Sequence, residues 1–348
     1  MSTPNNRFAP ICLLLFGCLL CVRVAWAQAS APAPSAHAID IPRWFSESFL
    51  DIREDIREAA RDNKRLLIYF GQDGCPYCKA LMKVNFSEPD IVARTRKNFV
   101  PVALNLWGDR DVTWIDGQRM SEKELGKRLK VQYTPTLLFF GENGQPVLRL
   151  NGYSPPEKFR VALEYVSRRL EKQQSFPDYL AATATQKAGA RMASEPFFVA
   201  GPVDVPRLLK ASAKPLIVVF EQGSCRECDE MHREAFQRAE MKKLLAQFTV
   251  VQADMFGARK VVAADGKSVS ERDWARALSV VYTPSLVFFD SGGKEVFRAE
   301  GYLRPFHFAS ALEYVASGAY RSEPNFQRFI QKRADHLRDA GKQVDIWE

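Results

Sequence analysis

The chain has 348 residues, enough for two ordinary domains, and 46% of them are hydrophobic, which excludes a chain that is disordered throughout. Its formal net charge of +8 would permit contact with nucleic acid. No stretch interleaves basic with aromatic residues, however, so we expect a solvated, mildly basic surface and no nucleic-acid partner.

The first 27 residues have the pattern of a secretory signal peptide. Arg7 precedes an apolar run at residues 11–22, which is shorter than the roughly 20 residues that span a bilayer. Ala25 and Ala27 supply a small-x-small cleavage site. We therefore expect export and cleavage after Ala27, with an uncleaved membrane anchor as the alternative.

The cysteines narrow the chemistry further. Of the seven cysteines, three lie in the predicted signal peptide. The other four form two C-x-x-C pairs, Cys75 with Cys78 and Cys225 with Cys228. Export places both pairs where disulfides can persist. No cysteine is left to join the two halves of the chain.

After a flexible linker predicted at residues 28–38, the elements can be read in chain order. Residues 51–65 have helical periodicity, and residues 66–70 have the apolar run of a short buried strand. A helix is predicted to begin near Cys75. The further predicted elements are a strand at 100–106, a hairpin turn at Asp116-Gly117, a helix at 121–130 opened by a capping box, a β-hairpin from 136–140 and 146–150, and a helix at 155–170.

The same unit is then written a second time. Cys75 and Cys78 reappear 150 residues later, and Thr134-Pro135 reappears 149 residues later as Thr283-Pro284, together with many other landmarks. This pattern predicts a tandem duplication in which each copy owns a core. The predicted boundaries are domain 1 at 39–172, a linker at 173–196, domain 2 at 197–320 and a helical tail at 321–348, which has no visible counterpart in the linker.

The first pair is placed for thiol–disulfide exchange. Cys75 would lie at the N-terminal end of a helix, where the helix dipole and unpaired N–H groups lower the pKa of a cysteine. Pro76 suits the first helical turn, and Cys78 follows one turn later, where it can resolve a mixed disulfide formed on an exposed Cys75. An inert structural disulfide is the alternative.

The second pair leaves more alternatives open. Arg226 would favour a thiolate, but the acids at 227, 229 and 230 oppose it, so we expect a less acidic Cys225 than Cys75. His232 follows Cys228 by four residues, so Cys225, Cys228 and His232 could ligate zinc or copper(I). Because a fourth ligand is not visible, we expect no metal and a histidine near the helix surface. Exchange, a structural disulfide and a client- or metal-binding module in domain 2 all remain open.

The element order β-α-β-α-β-β-α, with C-x-x-C at the head of a helix, resembles the thioredoxin fold in both units. The resemblance implies an α/β protein of two tandem thioredoxin-like domains, each a central mixed β-sheet flanked by helices. CPYCKALM, the insertion at 105–110, SEKEL and TPTLLFF resemble the periplasmic SoxW-type thioredoxin family most closely.

This resemblance implies a function and a set of site residues. Pro135 and Pro284 would be cis and would face the C-x-x-C pairs, while Thr134 and Thr283 would offer their backbone to the substrate beside Pro76 and Tyr77. The implied role is thiol–disulfide exchange in the periplasm, usually reductive, with clients that bear cysteines or disulfides. Electrons would come from a membrane transporter of the CcdA/DsbD type, and no cofactor beyond the redox-active disulfides is implied.

Some positions depart from the thioredoxin pattern. Tyr69 and Ala103 in domain 1, and Val219 and Gln252 in domain 2, occupy the positions of that family's buried Asp and Lys. The usual proton acceptor for the resolving cysteine is therefore expected to be absent. Two tyrosines in Gly-Tyr steps, Tyr153 and Tyr302, and His307 are interpreted as packing residues.

Overall fold

The structure is a computed structural model that describes residues 38–183 and 191–346. The predicted signal peptide and nearly all of the predicted linker at 28–38 lie outside the described residues. Across the described part of the chain, no helix combines the length and the apolar character needed to cross a bilayer.

Domain 1 is built on a four-stranded mixed sheet in the order β2-β1-β5-β6. The central strand β1 pairs parallel with β2 and antiparallel with β5. All seven residues of β1 are buried, because helices cover both faces of the sheet. The elements are α1 Ile52–Arg61, β1 Arg65–Gly71, α2 Pro76–Lys83, α3 Pro89–Asn98, β2 Phe99–Asn105, β3 Asp111–Thr113, β4 Arg119–Ser121, α4 Glu122–Arg128, β5 Thr136–Phe140, β6 Pro146–Asn151, α5 Pro156–Ser167 and α6 Phe176–Thr183.

Domain 2 repeats this architecture with a sheet in the order β12-β11-β7-β8. Its helix after the second C-x-x-C pair is shorter and passes into a π-helical turn at Met231–Ala235. The elements are α7 Val205–Ser212, β7 Leu216–Glu221, α8 Arg226–Glu230, α9 Ala239–Leu245, β8 Thr249–Asp254, β9 Lys260–Val262, β10 Ser268–Ser270, α10 Glu271–Ala277, β11 Ser285–Phe289, β12 Glu295–Glu300, α11 Pro305–Ala316 and α12 Phe326–Asp339.

Most predicted elements of domain 1 have the predicted type, and local chemistry explains their ends. The capping box is present, since Ser121 accepts from the Glu124 backbone while the Glu124 side chain accepts from Ser121 N. The Asp116-Gly117 turn joins β3 and β4. The sequence did not predict α3, because only Ile91 and Thr95 of its ten residues are buried and the helical periodicity is weak.

The predicted linker and tail need a correction. Residues 176–183 of the predicted linker form α6, whose Phe176 and Tyr179 pack in the core of domain 1. This helix is the counterpart of α12 in the tail. Tyr165 contacts Phe176 at 5.2 Å between ring centroids, and Tyr314 contacts Phe326 at the same distance. The tail therefore does have a counterpart in the predicted linker. The sequence did not reveal it because helix α6 has only 8 residues.

The described residues of the two domains belong to one compact unit, and two tyrosines join the domains, each buried in the core of the other domain. Tyr133 precedes Thr134 of domain 1 but is buried in the core of domain 2, where its hydroxyl donates to Arg298 O at 2.5 Å. Tyr282 of domain 2 is buried in the core of domain 1 and donates to Asn151 O. Because each tyrosine adjoins a Thr-Pro step, the interface lies directly beside both C-x-x-C pairs.

Candidate active site

In domain 1, the Cys75–Cys78 disulfide lies at the N-terminal end of α2, with 5.2 Å between the two Cα atoms. Cys75 is the N-cap residue, and its Sγ accepts from Cys78 N at 3.0 Å. Pro76 is the first helical residue, where no backbone donor is needed. Reduction would leave the Cys75 sulfur at this helix terminus, where backbone donors favour a thiolate.

Thr134 contacts this disulfide, and the peptide bond between Thr134 and Pro135 is cis, as the resemblance implied. The Thr134 hydroxyl donates to Cys75 Sγ at 3.3 Å, and Thr134 O lies 3.3 Å from the same sulfur. Cys75 is only 3% exposed, which corrects the expectation of an exposed nucleophile. Thr134 and the backbone of Cys78 both contact its sulfur.

Cys75 nevertheless lines a cleft of about 1010 Å³, which we call the Cys75 cleft. Domain 1 contributes Tyr77, Trp107 and Thr134 to its wall. Domain 2 contributes Tyr302 and His307, and the inner face of α12 with the residues after it closes the far side. Tyr153, Tyr302 and His307, interpreted from the sequence as packing residues, therefore all line the space in front of Cys75.

The second disulfide, Cys225–Cys228, has the same local geometry. Its Cα atoms are 5.1 Å apart, Cys225 Sγ accepts from Cys228 N at 3.1 Å, and the Thr283–Pro284 bond is cis. The Thr283 hydroxyl lies 3.6 Å from Cys225 Sγ. The duplication thus reproduces the backbone of the site as well as its sequence.

The surroundings of the second site differ, because a lysine of domain 1 is hydrogen-bonded beside it. Lys158 of α5 donates to Thr283 O at 3.0 Å and to Glu227 Oε2 at 2.8 Å. Burial would raise the pKa of Glu227, but the charge and hydrogen bond of Lys158, with smaller contributions from a backbone hydrogen bond and Arg226, together outweigh burial, so the pKa lies below its usual value. The backbone oxygen that the resemblance assigns to client binding is therefore already hydrogen-bonded.

His232 is buried in domain 2, which corrects the expectation of a histidine near the helix surface. Its Nδ1 lies 2.9 Å from Glu195 Oε1 and its Nε2 lies 3.0 Å from Glu221 Oε1. Burial opposes the charged imidazole, yet the two carboxylates outweigh burial and raise the pKa of His232. Gln252 donates to Glu221 at 2.6 Å and completes the cluster.

This cluster bears on the metal-site alternative. Both ring nitrogens of His232 are engaged by carboxylates, and Cys225 and Cys228 are joined to each other. Within residues 38–183 and 191–346, no group of three or more His, Cys, Asp or Glu side chains is arranged to hold a metal ion. The three residues of the alternative are therefore not assembled as a ligand set.

Sequence reasoning missed four residues around the sites: Lys158, Glu195, Glu221 and the role of His307. One signal was available for Glu221, since an acid at the end of an otherwise apolar strand requires a partner. For Lys158 and His307, no local signal exists, because each reaches the C-x-x-C pair of the other domain.

Comparison with known proteins supports the fold assignment. The sequence model of the thioredoxin-like domain family matches residues 52–167 and again residues 205–316, which together exceed half of the chain. The thiol:disulfide interchange protein DsbD of Ralstonia nicotianae is 29% identical over 120 residues, covering 34% of this chain. The chain spans only 18% of that relative's length.

Solved structures also resemble parts of the chain. A thioredoxin-fold protein from Helicobacter pylori is 18% identical with a TM-score of 0.33, and the match covers 36% of this chain and 86% of that one. A putative disulphide-isomerase from Bacteroides thetaiotaomicron is 24% identical with a TM-score of 0.29, covering 38% and 95% of the two chains. On the two family-model matches and the two matching sheets, this chain belongs to the thioredoxin-like family and carries two domains of it in tandem.

Proposed function

We propose that this chain is a periplasmic thiol–disulfide oxidoreductase that reduces disulfides in client proteins through Cys75 and Cys78. The observation that carries the proposal is the position of Cys75, which caps α2, contacts Thr134 and opens onto the Cys75 cleft. The name of the matched Ralstonia relative, a thiol:disulfide interchange protein, supports the same class of chemistry.

The reductive cycle needs two exchange steps. The Cys75 thiolate attacks one sulfur of a client disulfide, forms a mixed disulfide and releases the other client sulfur as a thiolate that takes up a proton. The Cys78 thiolate then attacks Cys75 Sγ, which closes the Cys75–Cys78 disulfide and releases the second client sulfur as a thiol. Two electrons and two protons pass to the client.

An external dithiol must then reduce the enzyme again. We propose a membrane electron donor of the CcdA/DsbD type in this role, and a SoxW-type family membership, on the sequence resemblance already described. Pro76, Tyr77, Thr134 and Pro135 would contact the client. Cys225 and Cys228 would form a second exchange site that clients reach less readily, because Lys158 holds Thr283 O.

The test is a trapping experiment with Cys78→Ser in the full chain. Without Cys78, the mixed disulfide on Cys75 cannot be resolved, so covalent client adducts should accumulate and should disappear on reduction. Mass spectrometry identifies the clients and the linked cysteine. A Cys75→Ser/Cys78→Ser variant is the matched control. Absence of Cys75-linked adducts, with a thiol that an alkylating reagent still reaches, contradicts the proposal.

A further inference from the structure

The Cys75 cleft has walls from three parts of the chain. The C-x-x-C loop and Thr134 form one wall, and Tyr302 and His307 of domain 2 form a second. Helix α12 forms the third, and residues 342–346 continue along it. The N-terminal end of α12 is held to domain 1, since Gln327 donates to Gln132 O at 3.0 Å and accepts from Gln72 at 2.8 Å. The cleft therefore forms only where the two domains and α12 pack together.

The size and charge of the cleft favour some occupants over others. Its volume of about 1010 Å³ is at the upper limit of pockets that enclose small molecules, so it suits something longer. The charged lining residues are three acids and three bases, which gives no net attraction for an anion or a nucleic acid: Asp73, Glu300, Asp345, Arg328, Arg338 and Lys342. Between them lie aromatic and aliphatic side chains, which suit apolar side chains of a ligand.

His307 offers a hydrogen-bonding position that nothing in the described chain uses. The residue is 9% exposed, and its buried Nδ1 has no hydrogen-bond partner. Burial, with a smaller contribution from the charge of Arg304, lowers the pKa of His307 to about 4, so its ring is neutral at pH 7. An unpaired buried nitrogen costs stability unless a ligand satisfies it.

The duplication shows what the equivalent position does in the other site. Lys158 is the counterpart of His307, 149 residues earlier, and it donates to Thr283 O of the second site. His307 instead packs its ring against Tyr77 at 5.1 Å between centroids. At the second site, the polar group of Lys158 thus has a hydrogen-bond partner within the chain. At the first site, Nδ1 of the equivalent His307 has none among the described residues.

We propose that the Cys75 cleft binds an extended, cysteine-bearing segment of the client polypeptide, with domain 2 and α12 acting as its recognition wall. The client cysteine lies at Cys75, a backbone amide group of the client pairs with the free His307 nitrogen, and apolar client side chains pack along α12. This inference rests on the proposed function, and it assigns domain 2 a part in client binding that exchange at Cys225 does not require.

The test compares a polypeptide substrate with a small one. The full chain is assayed with dithiothreitol as the external reductant, and kcat/KM is measured for insulin and for hydroxyethyl disulfide. Gln331→Trp places a bulky ring on the exposed, cleft-facing side of α12. We expect the insulin to hydroxyethyl disulfide ratio of kcat/KM to fall about tenfold, equivalent to about 1.4 kcal/mol.

Two further variants keep this test decisive. Lys332→Trp is the matched control, because Lys332 is the exposed neighbour of Gln331 and does not line the cleft, so its ratio should match the wild-type ratio. His307→Phe keeps a ring but removes the free nitrogen, so the ratio should fall about fivefold while the melting temperature stays level or rises. A purely structural His307 would instead leave the ratio unaltered.

The possible failures can be told apart. If Gln331→Trp and His307→Phe keep the wild-type ratio while both disulfides are reduced, the client-cleft inference is wrong and the proposed function stands. If the wild-type chain reduces neither disulfide, the proposed function itself is wrong, and the inference falls with it.

Discussion

The two C-x-x-C sites share a backbone geometry and differ in what the opposite domain places in front of them. At the second site, Lys158 of domain 1 binds Thr283 O and Glu227. At the first site, the equivalent residues His307 and Tyr77 pack ring against ring, and the Tyr77 hydroxyl accepts from Arg304 N at 2.7 Å. Cys75 there lines a large cleft. Duplication therefore produced two similar sites, and the contacts between domains made them unequal.

The residues on the strands and helix that adjoin each disulfide differ as well. In domain 2, Glu221, His232 and Gln252 form a buried polar cluster, and their counterparts in domain 1 are Gly71, Met82 and Ala103. A side chain at Gly71 would meet the Tyr69 hydroxyl at 2.0 Å, so the tyrosine occupies that space in domain 1. Among the described residues, the buried Tyr69 hydroxyl has no hydrogen-bond partner. The buried polar group in the C-terminal half of the central strand is thus Tyr69 in domain 1 and Glu221, two positions later in the alignment, in domain 2.

The largest expected effect tests whether the two sites are unequal in activity. Cys75→Ser removes the nucleophile that faces the cleft, so insulin reduction should fall at least about 100-fold. Cys225→Ser should lower it by no more than about threefold, because Lys158 blocks the client side of that site. Initial rates of insulin reduction with dithiothreitol measure both. An equal loss in the two variants would mean that electrons pass through the sites in series.

A smaller effect tests the contact that closes the second site. Lys158→Met leaves Glu227, whose side chain is 13% exposed, with only the exposed Arg226 at 3.4 Å as its cation, and should lower the free energy of unfolding by about 1–3 kcal/mol. Adding Glu227→Gln should restore part of the loss, since the poorly paired carboxylate is then removed. Urea denaturation measures the values.

The matched control for this contact is Lys123→Met in domain 1. Lys123 pairs with Asp109 at the surface, where both side chains are more than half exposed, so its removal should leave stability close to the wild-type value. A Lys158→Met variant as stable as Lys123→Met would show that the Lys158 contact does not hold the second site closed.

The smallest expected effect is a difference in pH dependence between the two buried histidines. The carboxylates raise the pKa of His232, so its contribution to stability is complete below about pH 6.5 and is lost as pH rises through the folded-state pKa. His307 has the opposite sign, because its pKa of about 4 makes the folded state lose stability as pH falls from about 6.5 toward 4.

Titration of the histidine ring protons by NMR measures both values directly. We expect the pKa obtained for His232 to lie above the usual range of a histidine, and the pKa obtained for His307 to lie below it. Denaturation at several pH values then checks the sign of each contribution. If both rings titrate at the ordinary value, the buried polar cluster and the free His307 nitrogen are incorrectly placed.

Much of the fold could be predicted because its signals are local. The apolar run of β1, the Ser121 capping box and the Asp116-Gly117 turn each identify an element within a few residues. Helix α6 was missed although Phe176, Tyr179 and Leu180 have helical spacing, because a segment of eight residues between two domains resembles a linker. The strength of a periodic signal grows with length, and this one was short.

In each candidate site, only the residues of the C-x-x-C motif and of the Thr-Pro step could be predicted from the sequence. Cys75, Cys78 and Thr134 do lie together, as the resemblance implied. His307 was interpreted as a packing residue because nothing near it in sequence is a partner. Its neighbour Tyr77 is 230 residues earlier, and that contact exists only when the domains dock.

By itself, the sequence determined the duplication, the order of strands and helices, and the placement of each C-x-x-C pair at a helix start. These features depend on residue identity at a repeated offset and on patterns a few residues long. Only the tertiary structure decided what surrounds each site, because that depends on contacts that cross between the domains, made by Tyr133, Tyr282, Lys158 and His307. Contacts between residues more than a hundred positions apart follow from how two surfaces fit, and no local pattern encodes that fit.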